Sequence, residues 1–413
     1  MVSFPSVAAS AFASFLIAFF AAVLVFRMLA VLLGWGAAIS RWRRREGQKT
    51  LGGELPIYSV LVPLYREAAM VRQISEAVLQ LDWPREKLDV QLLIEADDRA
   101  TLEAADKLAT DLPIRVTRIS GAGPRTKPNA LNIGLQYARG AFVTIFDAED
   151  HPHPRQLRAA YERFQNEPDK LAALQAPLIG TSLSGNWISA QWSLDYAVNF
   201  GLLLPAYSML GVPIALGGTS NHFRVSALQN VGGWDAWNVT EDADLGIRLA
   251  RFGYTIGMIW TPTYEAAPNQ YPIWLLQRVR WIKGFLMTWL VLMRRPGQLS
   301  GEIGLWRLLT LQLTFGAATF SPFIYAPATL LVTYALWSEQ YQLGSAGWSV
   351  LLAGLFTSFA ADCLAPGRWS FARVIAALTR PLYWPLLSVA AYGALIGLVR
   401  RPTYWAKTPH QPS

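Results

Sequence analysis

The chain opens on an apolar stretch. From Ser3 to Ser40 the only charged residue is Arg27, and such a window exceeds the roughly 20 residues that cross a bilayer. It lacks the basic leading segment of a secretory signal, so it predicts a retained anchor. Between Pro56 and about Lys283 the pattern changes to short β-branched runs alternating with helical spacing, as in βαβ units. "IYSVLVPLY", "VQLLIEA", "IRVTRI" and "AFVTIFD" predict strands; "EAAMVRQISEAVLQL", "TLEAADKLATDL" and "KPNALNIGLQYAR" predict helices. Strands each followed by a polar loop describe an open parallel sheet with ligands at the strands' carboxyl ends. "YPIWLLQRVRWIKGFLMTWLVLMRR" (Tyr271 to Arg295) mixes Trp, Leu and basic residues at helical spacing and predicts an interfacial helix. Past it the chain is apolar again. The run Leu308 to Leu336, broken at Pro322 and Pro327, reads as one span or a tight pair, and four carboxyl-terminal spans are expected. The resulting division is an anchor (1–40), a basic juxtamembrane linker (41–55), a cytoplasmic α/β domain (56–270), interfacial helices (271–300), a membrane region (301–400) and a cytoplasmic tail (401–413).

Composition sharpens this picture. The 413 residues are 53% hydrophobic and 15% charged, with a formal net charge of +8. Arg and Lys gather at membrane ends, in "RWRRR", "MRRPG" and "LVRRP", so anionic headgroups account for the charge better than nucleic acid does. The cluster after the anchor places that end in the cytoplasm. The single cysteine, Cys363, lies in an apolar segment and excludes an intramolecular disulfide.

The candidate chemistry begins at "IFDAED" (145–150), three carboxylates directly behind a buried-strand pattern. Crowded carboxylates repel unless a cation shares them, and a hard divalent ion that also grips a diphosphate fits that need. Asp147 and Glu149, spaced i and i+2, are expected to point the same way and hold the ion, with Asp150 starting the next loop. The same residues also read as a solvated acidic turn. Lys127 opens a helix where its ammonium and the helix amino terminus suit a phosphate. Asp97 and Asp98 end the second predicted strand. "NVTEDADLGIRL" places Glu241 and Asp242 in a first helical turn behind Thr240, which as a plain reading is its cap. "ALGGTSNHFR" is a Gly-rich turn that lets backbone approach a ligand. In "QRVRW", Gln277, Arg280 and Trp281 combine an amide, a guanidinium and an aromatic, suited to a diphosphate and a sugar face or to a headgroup anchor.

Taken in order, "VPLYRE", "EADDRAT", "TKPNALN", "FDAED", "GGTSNHFR", "TEDADLGIRL" and "QRVRW" resemble the processive, membrane-bound family 2 glycosyltransferases of the cellulose-synthase-like group. The resemblance implies a GT-A fold, a UDP-sugar donor (UDP-glucose or UDP-N-acetylglucosamine), Mg²⁺ or Mn²⁺, and inverting transfer to a growing β-linked polysaccharide exported through the membrane. It further implies that Glu67 and Asp98, or Asp97, contact the uridine and Lys127 the diphosphate. Asp147 and Glu149 take the position of the nucleotide- and metal-binding DxD, here DxE. Asp242 becomes the catalytic base with Glu241 beside it, and Gln277, Arg280 and Trp281 hold donor phosphate and acceptor sugar. The location implied is the inner membrane, multi-pass, with an accessory export or regulatory protein as a possible partner. Alternatives are single addition to a lipid-linked acceptor and a non-catalytic receptor or scaffold. A glycosidase has no need of an anchor and a basic interfacial helix.

Overall fold

The computed structural model describes residues 4–43, 54–121, 123–181, 186–338 and 344–401. Part of the basic linker and nearly all of the tail therefore lie outside the described residues.

The predicted strands form where expected, at β1 (Tyr58–Leu64), β2 (Leu88–Glu95), β3 (Ile114–Ile119) and β4 (Phe142–Ile145). They pair in parallel in the order β3-β2-β1-β4. Both sheet faces are buried: Tyr58, Val60 and Val62 enter one core with Ile74, Val78 and Phe164, while Leu61 enters another with Leu131 and Leu135. This two-sided burial explains the apolar character of β1, β2 and β4, whereas the edge strand β3 is only partly buried and keeps Arg115 and Arg118.

Beyond β4 the sheet departs from the expected all-parallel form. It continues through β8 (Asn221–Arg224), then β6 (Leu171–Gln175) and β9 (Thr255–Met258). β8 runs antiparallel to both β4 and β6. It comes from the Gly-rich stretch "GGTSNHFR", whose turn feeds the reversed strand. Three further strands, β5 (His151–Pro152), β7 (Leu178–Thr181) and β10 (Thr263–Ala266), form a small second sheet in the order β5-β10-β7 beside the carboxyl end of β4.

Among the described residues four helices are long and apolar enough to cross a membrane: Ala11–Ser40, Leu305–Trp337, Ser345–Leu364 and Arg380–Arg400. Three of them, rather than the expected four, follow the domain. Pro322 and Pro327 do not split the first of these. Ser388 of the Arg380–Arg400 helix receives the Ala326 N–H (2.8 Å) and donates to the Pro322 carbonyl. Pro327 has no N–H for the Phe323 carbonyl, and the Tyr392 hydroxyl of the same neighbouring helix donates to it instead (2.9 Å).

The amino-terminal helix runs unbroken from Phe4 to Arg43. Its later part lies on the domain, with Ala30 and Val31 packed among Val198, Leu202, Leu203 and Ala206. Gly34 allows this approach, since a Cβ there would sit 2.1 Å from the Leu202 carbonyl oxygen. The Tyr271–Leu292 helix forms as predicted and packs Ile282 against Ala390, Ala391 and Ala394.

One charged network ties these elements together. Asp195, on the helix Trp187–Val198, accepts from Arg278 (2.8 Å), Arg380 (2.7 Å) and Tyr383 (3.0 Å). Arg380 also holds both oxygens of Asp362, at 2.8 and 3.1 Å. Buried charges persist in such settings when each is paired.

Candidate active site

Lys127 starts the helix Lys127–Tyr137. Thr126 caps that helix, accepting the Asn129 N–H at 3.4 Å while its hydroxyl donates to the Ala236 carbonyl at 2.9 Å. The ammonium is thereby fixed at the mouth of the sheet, where it pairs with Asp147 and donates to the Gly218 carbonyl at 2.8 Å. Asp242, in the first turn of the helix Glu241–Arg251, comes to the same place: a Cβ on Gly218 would lie 3.4 Å from Asp242 Oδ2 and 3.9 Å from Lys127 Nζ. Glycine at 218 leaves the gap between them open.

The acidic stretch is ordered differently from the sequence expectation. β4 ends at Ile145, so Asp147 and Glu149 do not share a face by strand alternation. Asp150 does not open a solvated loop. It is fully buried, and its Oδ2 accepts the Asp147 N–H (2.7 Å) and the Thr219 hydroxyl. One carboxylate therefore folds the "DAED" turn and ties it to the Gly-rich loop. Both Asp147 and Glu149 line the resulting cleft.

Thr240 holds the N-cap position, but its side chain makes no capping bond; its methyl and hydroxyl lie against Gly284. Asp242 Oδ1 accepts the Ala243 N–H instead (2.8 Å). At the second strand end, Asp98 is consumed by the Arg66 N–H and by capping its own helix through Thr101 N (3.4 Å). Asp97 pairs with Arg125 at 2.6 Å. Neither aspartate lines the cavity, whereas Glu67 and Glu95 do.

From the Tyr271–Leu292 helix, Gln277, Arg280 and Trp281 all face the cleft. Gln277 accepts from Trp192 Nε1 at 2.8 Å. Trp281 lies 6.2 Å from the Tyr196 ring at an interplanar angle of 28°, with the Arg278 guanidinium 4.8 Å from its centroid. Sequence reasoning missed Glu95, Arg278, Tyr196 and Glu265. Glu265 sits on β10, reaches the site through pairings distant in the chain, and belongs to no motif.

The electrostatics follow from crowding. Burial opposes the Lys127 charge, but Asp147, Glu241 and Asp242 outweigh it and hold the ammonium above the ordinary lysine range. Burial, then Asp242, push Glu241 up to about 7 against the pull of Lys127 and Arg280. Asp242 is raised by burial, with the Ala243 N–H, Lys127 and Arg280 restraining the shift. Asp150 and Glu265 are raised well above the carboxylate range by burial and by the neighbouring acids.

Acids in excess over cations, all with oxygen donors, fit a hard divalent ion. Among the described residues no group of three or more His, Cys, Asp or Glu is placed to hold a metal. An ion at Asp147 and Glu149 would therefore complete its shell with diphosphate or water oxygens, as Mg²⁺ commonly does.

The cleft is one end of a single cavity of about 1110 Å³. From Lys127, Asp147 and Asp242 it continues past Tyr196, Asp195 and Arg278 into a chamber between the apolar helices, lined by Phe20, Leu24, Ala328, Leu331, Leu351 and Gly354.

Residues 59–218 match the profile "Glycosyl transferase family 2", and residues 142–339 match "Glycosyl transferase family group 2". The chain is 28% identical over 284 residues to the beta-monoglucosyldiacylglycerol synthase of Trichormus variabilis, covering 66% of this chain and 58% of that protein. It is 26% identical over 242 residues to a probable glucomannan 4-beta-mannosyltransferase of Oryza sativa, covering 56% of this chain and 41% of that one. The chain thus spans less than two thirds of the length of these curated relatives. The structure is similar to the mannosyltransferase PcManGT of Pyrobaculum calidifontis, solved with GDP-Man and Mn²⁺, at a TM-score of 0.58 and 19% identity over 93% of this chain and 99% of the other. At that identity the likeness concerns the fold. The mixed sheet, the cleft at its strand ends and the two profile matches agree: the domain has the GT-A fold, and residues 59–339 are similar to family 2 glycosyltransferases.

Proposed function

We propose that this protein transfers a sugar, with inversion, from a nucleotide diphosphosugar to a lipid acceptor that enters the site from the membrane. The observation that carries this reading is the continuity of the cleft with an apolar chamber between the helices. Hydrocarbon fits the apolar part of that lining, and Arg27, Tyr207 and Tyr325 on the same wall offer polar groups to a headgroup. The printed name of the Trichormus variabilis relative, a glucosyldiacylglycerol synthase, agrees with a lipid product. The polysaccharide reading keeps support from the glucomannan mannosyltransferase and from the motif resemblance. The donor nucleotide is expected to be UDP from the motifs, with the GDP-Man of the structural neighbour as the competing case.

In the proposed reaction the acceptor hydroxyl attacks the anomeric carbon on the face opposite the leaving diphosphate. Asp242 takes the proton, a role suited to a carboxylate whose affinity for protons burial has raised. Lys127 and Arg280 meet the charge that develops on the departing diphosphate. A divalent ion held through Asp147 and Glu149 would add Lewis-acid neutralisation of the same charge. Trp281 and Tyr196 offer flat faces to a sugar ring. Glu67, in the turn after β1, and Glu95, the last residue of β2, line the wall where the nucleoside is expected. The domain would lie on the cytoplasmic side of a multi-pass membrane protein.

Membranes containing the protein should be given radiolabelled UDP-glucose, UDP-N-acetylglucosamine and GDP-mannose in parallel. The reading predicts label in the organic-soluble lipid fraction from one donor; label confined to insoluble polymer would overturn it. Asp147→Ala is expected to weaken Mn²⁺-dependent nucleotide binding by about tenfold or more, the scale of one charged contact. A titration in which Mn²⁺ and chelator separate as widely as in the parent would contradict that.

A further inference from the structure

Arg27 is the one charged residue between Ser3 and Ser40, and it lines the cavity. Ionisable residues in membrane segments are costly and mark functional sites. Among the described residues, no carboxylate reaches ion-pair distance of Arg27. The two carboxylates at this level of the cavity are already engaged, Asp195 by Arg278 and Arg380, and Asp362 by both arms of Arg380. Three guanidiniums thus share two carboxylates, and Arg27, whose charge reaches Asp362, is the one of the three that forms no ion pair. Tyr207 and Tyr325, which also line the cavity, stand close enough to feel the Arg27 charge and add phenolic donors.

The depth of Arg27 specifies the occupant further. The stretch Phe4–Val25 is about 33 Å long at 1.5 Å per residue, enough for the hydrocarbon of a bilayer by itself. From Phe26 onward the helix lies on the domain: Phe26 stacks on Tyr207 at 6.2 Å and Gly34 meets the Leu202 backbone. Arg27 lies within the apolar stretch Ala11–Ser40, and setting the edge of the hydrocarbon where the helix meets the domain puts it at headgroup level, at the side of a chamber that leads to Asp242.

We infer that Arg27 binds the phosphate of a membrane lipid, and that the acceptor is a phospholipid carrying its hydroxyl on the headgroup beyond that phosphate. This rests on the lipid-acceptor reading and narrows it. With the phosphate on Arg27 and the acyl chains in the chamber, the headgroup extends toward the cleft. There its hydroxyl oxygen bonds to the anomeric carbon, the bond from that carbon to the diphosphate breaks, and the proton passes to Asp242.

The full-length protein in phosphatidylcholine nanodiscs doped with phosphatidylglycerol or with diacylglycerol provides the test, with lipid retention read by native mass spectrometry and label transfer read in the same samples. The parent should retain phosphatidylglycerol over diacylglycerol. Arg27→Gln should lose that preference by about tenfold, the scale of one charge-assisted hydrogen bond, and Arg27→Lys should keep most of it. Equal retention by the parent and Arg27→Gln would overturn the inference, as would displacement of the lipid by millimolar inorganic phosphate, which would make free phosphate the ligand. Label passing to diacylglycerol and not to phosphatidylglycerol in the parent would overturn the phospholipid acceptor but leave the lipid-acceptor reading standing. Phospholipid retention that depends on Arg27, with label found only in polymer, would do the reverse.

Discussion

Asp242→Asn should lower sugar transfer by about a hundredfold to ten-thousandfold while nucleotide binding stays near that of the parent. The substitution keeps the size of the side chain and the acceptor for the Ala243 N–H, so the first turn of its helix survives. What it removes is the basic oxygen beside Gly218 and Lys127. Transfer measured with saturating donor, together with nucleotide binding by calorimetry, separates the two effects. Near-parental turnover would remove Asp242 from the role of base. A matched loss of binding and turnover would assign it to holding the donor.

Much of this site was legible before any coordinates. Lys127, Asp147 and Asp242 lie far apart in sequence, yet each occupies a position with a local reason: a helix start, the end of a buried strand, a first helical turn. Those reasons survive folding, and the three side chains meet around Gly218. The central strands β1, β2 and β4 were legible for a related cause, since burial on both faces leaves apolar runs.

The misreadings share a different cause, which is that identical residues satisfy competing partners. In "DAED" the i to i+3 bond from Asp147 N–H to Asp150 converts strand alternation into a turn. In "EADD" the two aspartates go to a helix cap and to Arg125, and Glu95, the last residue of β2, faces the cavity. Long-range pairings carry no local signal at all. Glu265 arrives through β10, and Asp195 meets Arg380 across 185 residues of chain. The number of carboxyl-terminal spans was misjudged because the carbonyl that Pro327 leaves open finds its partner in Tyr392, on another helix.

The second large effect concerns the chamber. Ala328 lies on the helix Leu305–Trp337, one turn beyond Tyr325, and its small side chain helps to keep the passage wide. Ala328→Trp would place an indole in a space also bounded by Leu24, Leu351 and Gly354. A lipid acceptor would then be blocked from the membrane side, whereas donor and metal, entering from the domain side, would not be affected. Ala328→Ser, which leaves the volume nearly unchanged, controls for disturbance of the helix.

Glycolipid formation and donor hydrolysis by water, measured side by side in Ala328→Trp and the parent, test the account most directly. Transfer to lipid should fall by about a hundredfold or more, a loss of roughly 2.7 kcal/mol in transition-state stabilisation, while hydrolysis of the donor continues at the parental rate. Undiminished glycolipid formation in that variant would contradict it, because the acceptor would then reach Asp242 by a route that does not pass through the chamber.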